Sequence, residues 1–395
     1  MVGSNSCFGN NTNFCFNAVL AKPLCKREQI RDGRWIERKN FYMVSSSLGG
    51  YVPGFEWGHK SEQCAKHVIL VDSKDANVTA DHGNKEGSEA ALFDRYEWQL
   101  NDNDTCDFQN EFNPALFCEL MQNAAIFFIG DSLVFEQYVS LVSLLGGNVT
   151  ENLKLRSLHK NLSIVQNVCA DRNTTLMYRW SRHLTGIDEF LNETFPTVLV
   201  LSSLAHYNTD SLQAVFPDNM DKTLDYVKKW QQDCRKQNLT CPFFWRTTSP
   251  GHHNCGNFTK PENNISIMED YIASHSNNHK SYRWGKFHIN NDIMLKKLES
   301  SGLDNYNVID GYDLAIRRPD NHFNPKIDDC LHHCTPGVAH TYSLIFLHHL
   351  RTNRTRENIS KLSRYNYSWN RSSNILSSGR DVDWNDHAPY LNLIS

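Results

Sequence analysis

The sequence lacks several features that would place it in a specialised class. It contains no run near the ~18 consecutive apolar residues that a membrane helix needs, no internal repeats and no paired Cys-x-x-Cys spacing typical of zinc modules. Basic residues number 40 and acidic residues 44, so the basic excess usual in nucleic-acid-binding proteins is absent. Charged residues make up only 21% and hydrophobic residues 40%, which excludes disorder as a description of the whole chain.

The first residues, from Met1 to Cys7, have neither a basic start nor an apolar stretch, and so do not form a signal peptide. The chain nevertheless has 12 cysteines and fourteen Asn-x-Ser/Thr triplets, a combination that favours the secretory pathway. An Asn-rich cytosolic protein with reduced thiols is the alternative. A lumenal protein needs a signal or anchor, and we expect that segment to be missing from this chain, which we interpret as a fragment or an incomplete gene model.

Residues 1–90 have little periodicity, and we expect an irregular region held by Cys7, Cys15, Cys25 and Cys64. Residues 91–350 alternate short apolar runs with amphipathic stretches, which predicts an α/β domain with a parallel sheet covered on both faces. Residues 351–395 are rich in Asn, Ser and Arg and are predicted to be a polar tail. The predicted strands cover 124–129, 163–168, 176–180, 197–201, 242–246 and 307–310, and the predicted helices 111–122, 135–145, 218–237, 290–300 and 339–350.

The sharpest local signal is Gly130-Asp131-Ser132, which follows an apolar strand and precedes a helix. Ligands bind beyond the carboxyl ends of strands in open α/β sheets, so a serine there is placed in the crevice. The helix N-terminus and its backbone N–H groups can stabilise an oxyanion. An ordinary N-cap is an equally good interpretation of the tripeptide alone.

The second signal begins 197 residues later (329 − 132) as Asp-Cys-Leu-His-His-Cys-Thr-Pro-Gly. Asp329 and His332 are three residues apart, so a single turn would bring both side chains to one face. Together with Ser132 they supply the nucleophile, base and orienting carboxylate of a hydrolytic triad. The alternative is a metal site, but neither this cluster nor the one containing His252, His253 and Cys255 has strong zinc spacing. We therefore expect no metal and no cofactor, with Cys330 and Cys334 stapling the loop that presents His332.

In these two motifs the chain resembles the PC-esterase group of the SGNH superfamily, and especially the trichome birefringence-like polysaccharide O-acetyltransferases. The family pairs a Gly-Asp-Ser motif with a distant Asp-Cys-x-His-x-Cys-x-Pro-Gly motif, and both occur here. The resemblance implies an SGNH-like three-layer α/β fold with a disulfide-tied amino-terminal subdomain. It also implies acetyl transfer to a glycan, with a glycan acceptor and a small acetyl donor as partners, in the Golgi lumen.

The resemblance implies further site residues as well as departures. Gly130, Asp131, Ser203, His206, Arg246 and His252 are the expected oxyanion or substrate-binding residues. Ser203 stands where the family has an asparagine that helps to form the oxyanion hole, Phe135 replaces a usual Arg, Asn321 a Gly, and His333 a Trp. Asp320 and His322 are a candidate pair behind His332, with a structural role as the alternative.

Two other functions stay open. A carbohydrate acetyl esterase would use the same triad with water as the acceptor, and a degenerate glycan-binding module would keep the fold without the triad geometry. A separation above roughly 6 Å between Ser132 and His332 would favour the binding module, because hydrogen-bond reach is much shorter.

Overall fold

A computed structural model describes residues 22–38, 68–72, 90–102, 105–147, 164–169, 172–275, 282–324 and 329–351. The predicted tail beyond residue 351 and Cys7, Cys15 and Cys64 lie outside the described residues. The elements in chain order are α1 (Arg27–Arg31), β1 (Gly33–Glu37), β2 (Val68–Asp72), β3 (Ala90–Asp94), β4 (Tyr96–Leu100), α2 (Pro114–Leu120), β5 (Ala125–Gly130), α3 (Ser132–Leu144), β6 (Ile164–Val168), β7 (Thr174–Trp180), α4 (Ile187–Thr194), β8 (Val198–Ser202), α5 (Asp210–Lys236), β9 (Phe243–Arg246), α6 (Ile265–Ser274), α7 (Phe287–Ser300), β10 (Tyr306–Ile309), α8 (Tyr312–Ala315), β11 (His322–Asn324), β12 (Asp329–His333) and α9 (Val338–Leu350).

The centre of the fold is a six-stranded sheet with the order β10-β9-β8-β5-β7-β6. All neighbouring pairs are parallel except β6 with β7. Every residue of β8 is buried, and so are all residues of β5 except the first. A strand buried on both alternating faces requires helices on both sides of the sheet. The predicted α/β class with a central, mostly parallel sheet is confirmed.

Two groups of helices cover the sheet. Helices α2, α3 and α9 pack together, and α4, α5 and α7 form the second group. Aromatic side chains fill the first layer, where the ring of Phe346 on α9 lies 4.8 Å from Phe244 and 6.2 Å from Phe128. Edge-to-face aromatic pairs of this kind add to the burial of apolar area. Within the described residues, no helix is both long and apolar enough to cross a membrane.

The strand order reverses beside β5. Strand β5 lies between β7 on one side and β8 on the other, and β9 and β10 follow outward from β8. In open α/β sheets such a switch point leaves a crevice at the carboxyl ends of the strands, and ligands bind there. Ser132 is the first residue of α3, directly after β5, and therefore lies at the switch point.

Several predicted boundaries were wrong, because local capping chemistry decides where helices begin. Helix α3 begins at Ser132 rather than at residue 135, since the Asp131 side chain accepts the backbone N–H of Leu133 and caps the first turn. Helix α5 begins at Asp210 rather than at 218, because Thr209 caps it and Pro217 is accommodated inside. Helices α4 and α6 were not predicted, and neither was the β11–β12 hairpin.

A smaller set of elements lies beside this sheet. Strand β1 pairs with β4, and the Cys25–Cys106 disulfide ties residues before α1 to the segment after β4. The Arg318 guanidinium, fully buried, joins Asp94 at 2.6 Å and Asp320 at 3.1 Å, and it lies 4.6 Å from the ring of Trp35. These contacts fix the amino-terminal strands against the segment that leads into β11.

Candidate active site

The turn that carries Ser132 is held in a tight space between two strands. A Cβ atom on Gly130 would lie 1.9 Å from the carbonyl oxygen of Ser202 on β8, so a side chain cannot be accommodated at this position. Strand β5 therefore approaches β8 closely and delivers the next residues to the crevice. Ser132 is the first residue of helix α3 and is 8% exposed.

Asp131 fixes this turn to the neighbouring strand connection. Its buried carboxylate accepts the backbone N–H of Leu133 at 3.0 Å and the backbone N–H of Ala205, in the turn after β8, at 3.3 Å. Burial raises the pKa of Asp131, and these N–H donors together with the charge of Arg246 oppose the rise. Asp131 therefore acts as the helix cap and as a tie between the β5 and β8 turns.

Ser132, His332 and Asp329 form one continuous hydrogen-bonded chain. Nε2 of His332 lies 2.8 Å from Oγ of Ser132, and Nδ1 lies 3.0 and 3.1 Å from the two carboxylate oxygens of Asp329. The separation is far below the 6 Å that would have favoured a binding module. The site stays open to solvent, because the side chain of His332 is 24% exposed and that of Asp329 15%.

The charge state of Asp329 suits an orienting carboxylate. Burial works to raise its pKa, but the His332 ring and hydrogen bonds from the His332 and Leu331 backbone outweigh burial, so the pKa lies below the ordinary value. Asp329 is therefore ionised at neutral pH. An ionised carboxylate accepts only, so His332 must carry its proton on Nδ1 and present the lone pair of Nε2 to Ser132.

The predicted single turn between Asp329 and His332 is wrong, because both residues lie on strand β12. In a regular strand, residues three apart point to opposite faces. Here His322 pairs with His333 and Asn324 pairs with Asp329. An advance of two residues along β11 therefore corresponds to four residues along β12. The two additional residues form a bulge that turns Asp329 and His332 toward each other.

Disulfides hold this strand in place. Cys330, between Asp329 and His332, is bonded to Cys255 in the segment after β9, and Cys334 is also disulfide-bonded. All nine cysteines in the described part of the chain are in disulfides. This pattern is typical of an oxidising compartment and agrees with the predicted lumenal class. It also removes the Cys255 and Cys330 thiolates as metal ligands.

The other predicted site residues lie at different depths. The Ser203 hydroxyl donates to the carbonyl oxygen of Arg182, and His206 is half-buried with its ring 5.6 Å from that of Trp180. Arg246 is 1% exposed, and its guanidinium lies 3.7 Å from the ring of Tyr342. His252 is fully buried.

Two further buried residues contact the catalytic strand. Nδ1 of His322, a residue selected from the sequence, lies 3.1 Å from the carbonyl oxygen of His332, while Asp320 is paired with Arg318. Glu136 was missed, and its carboxylate accepts the backbone N–H of His333 at 3.0 Å. The signal available for Glu136 was a charged residue one turn after Ser132 inside an otherwise apolar helix segment.

Comparison with known proteins shows similarity to one family over part of the chain. Residues 110–202, which include Gly130-Asp131-Ser132, match the model of PC-Esterase, described as the GDSL/SGNH-like acyl-esterase family found in Pmr5 and Cas1p. The predicted resemblance to the PC-esterase family is confirmed. Two Arabidopsis thaliana proteins are similar to 65% of this chain at 24% identity, named protein trichome birefringence-like 14 and protein trichome birefringence-like 15. The matches span 76% and 61% of the lengths of these relatives.

Solved structures with lower similarity were also found. The acetyl xylan esterase AlAXEase shares 16% identity, with 56% of this chain and 98% of that chain covered and a TM-score of 0.31. The acetylxylan esterase Axe2 from Geobacillus stearothermophilus shares 10% identity, with 59% and 96% covered and a TM-score of 0.32.

Proposed function

We propose that the protein is an O-acetyltransferase that transfers acetyl groups to glycan hydroxyls through an acetyl-serine intermediate. The observation that carries the proposal is the Ser132–His332–Asp329 hydrogen-bonded chain at the switch point of a parallel sheet. Acyl transfer is the chemistry that a serine, a neutral histidine and an ionised carboxylate perform in this arrangement. The similarity to the PC-esterase family supports the same reaction class.

The first half-reaction follows from the positions of the protons. Nε2 of His332 takes the Ser132 hydroxyl proton as Oγ forms a bond to the acetyl carbonyl carbon of the donor. The negative charge moves to the carbonyl oxygen, which the N-terminal turn of α3 stabilises through the backbone N–H of Ser132 and the helix dipole. Collapse breaks the bond to the leaving group, which receives the proton from Nε2 and leaves acetyl-Ser132.

The second half-reaction runs in reverse with a new acceptor. A sugar hydroxyl gives its proton to Nε2 of His332 as its oxygen forms a bond to the acetyl carbonyl carbon. The bond from that carbon to Oγ of Ser132 then breaks, Oγ takes the proton from Nε2, and the glycan ester is released. Water in the same place gives acetate and an esterase reaction. Asp329 stabilises the imidazolium in both halves. The outcome is decided by which hydroxyl is held against the acetyl-serine, since positioning converts a bimolecular step into a unimolecular one.

Aromatic side chains beside the triad offer a surface for a sugar. Trp180 ends β7 directly beside Gly130 and is half-buried, and the ring of His206 lies 5.6 Å from Trp180 and 6.0 Å from Tyr282. Apolar C–H faces of sugars pack on aromatic rings of this kind. Trp245 and Trp284 are buried and are unsuited to this role.

We further propose that the protein works as a glycoprotein in the Golgi lumen. All cysteines in the described part of the chain are in disulfides, which is typical of proteins in an oxidising compartment and supports the proposal. The described acceptor asparagines are exposed, namely Asn173, Asn192, Asn238, Asn257 and Asn264. Exposure is what attachment of a glycan requires, and treatment with an endoglycosidase tests it by a loss of mass at these positions.

The proposed activity is tested with an aryl acetate, with and without a panel of oligosaccharides. We expect the donor to be consumed and acetylated oligosaccharides to be detected by mass spectrometry, and we expect Ser132→Ala to lose at least about 10⁴-fold in rate. The matched control is Ser140→Ala, which removes a buried hydroxyl two turns further along α3, where it lies 3.1 Å from His340. Acetate release with no acetylated sugar would favour the esterase, and an unchanged rate in Ser132→Ala would refute the nucleophile.

A further inference from the structure

One peptide group of the catalytic strand is held at both of its polar atoms by buried side chains. The group joins His332 and His333, so its carbonyl belongs to the proposed base itself. The N–H of His333 donates to Oε1 of Glu136 at 3.0 Å, and the carbonyl of His332 accepts from Nδ1 of His322 at 3.1 Å. We call this group, Glu136 and His322 the peptide clamp.

The bulge in the hairpin explains why side chains serve this peptide group. Strand β11 pairs with β12 at His333 and at Asp329. Because the register is irregular, the residues of β12 between these two positions outnumber the residues of β11 between their partners. A buried backbone N–H or C=O without a hydrogen bond is strongly disfavoured, so the bulged segment needs other partners. The bulge that brings Asp329 to His332 thus leaves this peptide group without backbone partners on β11, and Glu136 and His322 supply the hydrogen bonds instead.

Glu136 links this peptide group to the nucleophile. It lies on α3 four residues after Ser132, one turn along the same helix, and is 3% exposed. Its second oxygen lies 3.6 Å from Nδ1 of His333. A carboxylate is costly to bury unless it is hydrogen-bonded or paired, and this contact set meets that condition. One side chain therefore connects the helix that begins with Ser132 to the strand that carries His332.

His322 supports the opposite side of the same peptide group. It is fully buried, and its Nε2 lies 2.6 Å from Nδ1 of His252, whose other nitrogen lies 2.7 Å from the carbonyl oxygen of Ile316. Because both outer partners are carbonyls, the outer nitrogen of each ring carries the proton that it donates. Burial lowers the pKa of both rings, and the hydrogen bonds to the carbonyls of Ile316 and His332 oppose that shift.

We infer that Glu136 and His322 are positioning residues that set the distance between Ser132 Oγ and His332 Nε2. The inference rests on the proposed function, in which that distance controls removal of the serine proton. Helix α3 and strand β12 each carry one partner of the proton transfer, and the clamp joins the helix one turn after Ser132 to the peptide group that follows His332. A displacement of about 1 Å at a reacting pair can cost on the order of 100-fold in rate.

Two variants of equal length separate the acceptor from the bulk of the side chain. Glu136→Met keeps an unbranched chain of the same reach but cannot accept the peptide N–H, whereas the amide oxygen of Glu136→Gln can. The rate of Ser132 modification by a serine-directed fluorophosphonate reports nucleophile activation without any glycan. We expect Glu136→Met to slow modification by about 10- to 100-fold and Glu136→Gln to stay within about threefold of the wild type.

A second readout does not depend on the reaction. Amide hydrogen exchange at His333 should accelerate in Glu136→Met and remain slow in Glu136→Gln, because only the first variant frees that N–H. The control is again Ser140→Ala, for which neither modification nor exchange at His333 should change by more than about twofold. If Glu136→Met does not fold, His322→Leu replaces it, with His322→Asn as the variant that restores a donor.

The outcomes separate the clamp from the proposed function. Fluorophosphonate modification at the wild-type rate in a folded Glu136→Met would overturn the clamp, and so would equal slowing in Glu136→Gln. A wild-type protein that is never modified at Ser132 would refute the proposed nucleophile. The clamp would then be tested by amide exchange at His333 alone. Unchanged exchange at His333 in Glu136→Met would then overturn the clamp on its own.

Discussion

Two buried disulfides that close loops of very different length give a quantitative test of how the catalytic strand is stabilised. Cys255–Cys330 holds β12 and closes 75 residues, whereas Cys234–Cys241 joins the end of α5 to the start of β9 and closes only 7. All four sulfur-bearing side chains are at most 3% exposed. Replacing each cysteine pair with alanines therefore leaves similar cavities. The difference in free energy of unfolding between the two variants then reports the difference in loop length.

The expected magnitude follows from the restriction of the unfolded chain. The chain-entropy relation gives about 4.5 kcal/mol for the longer loop and about 2.3 kcal/mol for the shorter one at 25 °C, a difference of about 2 kcal/mol. The difference is more secure than either value, because cavity and solvation contributions are shared by the two variants. Cys255→Ala/Cys330→Ala should thus be the less stable variant by about 2 kcal/mol.

The assay is urea unfolding of both double variants beside the wild type, followed by tryptophan fluorescence. We also expect the Cys255→Ala/Cys330→Ala variant to lose acetyl-transfer rate at temperatures where it is folded, since Cys330 lies between Asp329 and His332. The Cys234→Ala/Cys241→Ala variant should keep its rate. Equal free energies of unfolding for the two variants, or the reverse order, would refute the loop-length reasoning.

Two further predictions concern charge. Asp329→Asn should lower kcat by about 10³- to 10⁴-fold with little change in KM, because an amide donor at this position stabilises the wrong tautomer of the histidine; an unchanged kcat would contradict the orienting role. Burial lowers the pKa of His340 and of His349 to about 4. The folded state thus favours neutral rings while the unfolded rings bind protons below about pH 6.5, so stability falls as pH falls. Urea unfolding should show a loss of about 1 kcal/mol for each of these two rings between pH 7 and 5.5. The loss should be about 1 kcal/mol smaller in His340→Gln than in the wild type, and an equal loss in the two proteins would contradict the assignment.

The sequence was most informative where one physical signal dominated. Strand β5 was placed within a residue because a continuous apolar run of that length suits a strand buried on both faces. The identity of the triad was also readable, since Ser132, Asp329 and His332 are residue types that act together. These signals are local in the chain, and they need no knowledge of tertiary contacts.

The geometry that joins the triad could not be read in the same way. The spacing of Asp329 and His332 predicted a turn, whereas a bulge in a hairpin with β11 brings them together. That bulge depends on pairing between strands, which periodicity does not encode. Glu136 was missed for the same reason, because its partner is the backbone of His333, 197 residues away in the chain.

In the proposed reaction Ser132 carries the acetyl group during turnover. The most direct measurement is mass spectrometry of the protein quenched during reaction with an aryl acetate, followed by peptide mapping. We expect one added acetyl group on the peptide that contains Ser132 and none in Ser132→Ala. Acetylation at another residue during turnover, or turnover by Ser132→Ala at the wild-type rate, would contradict it.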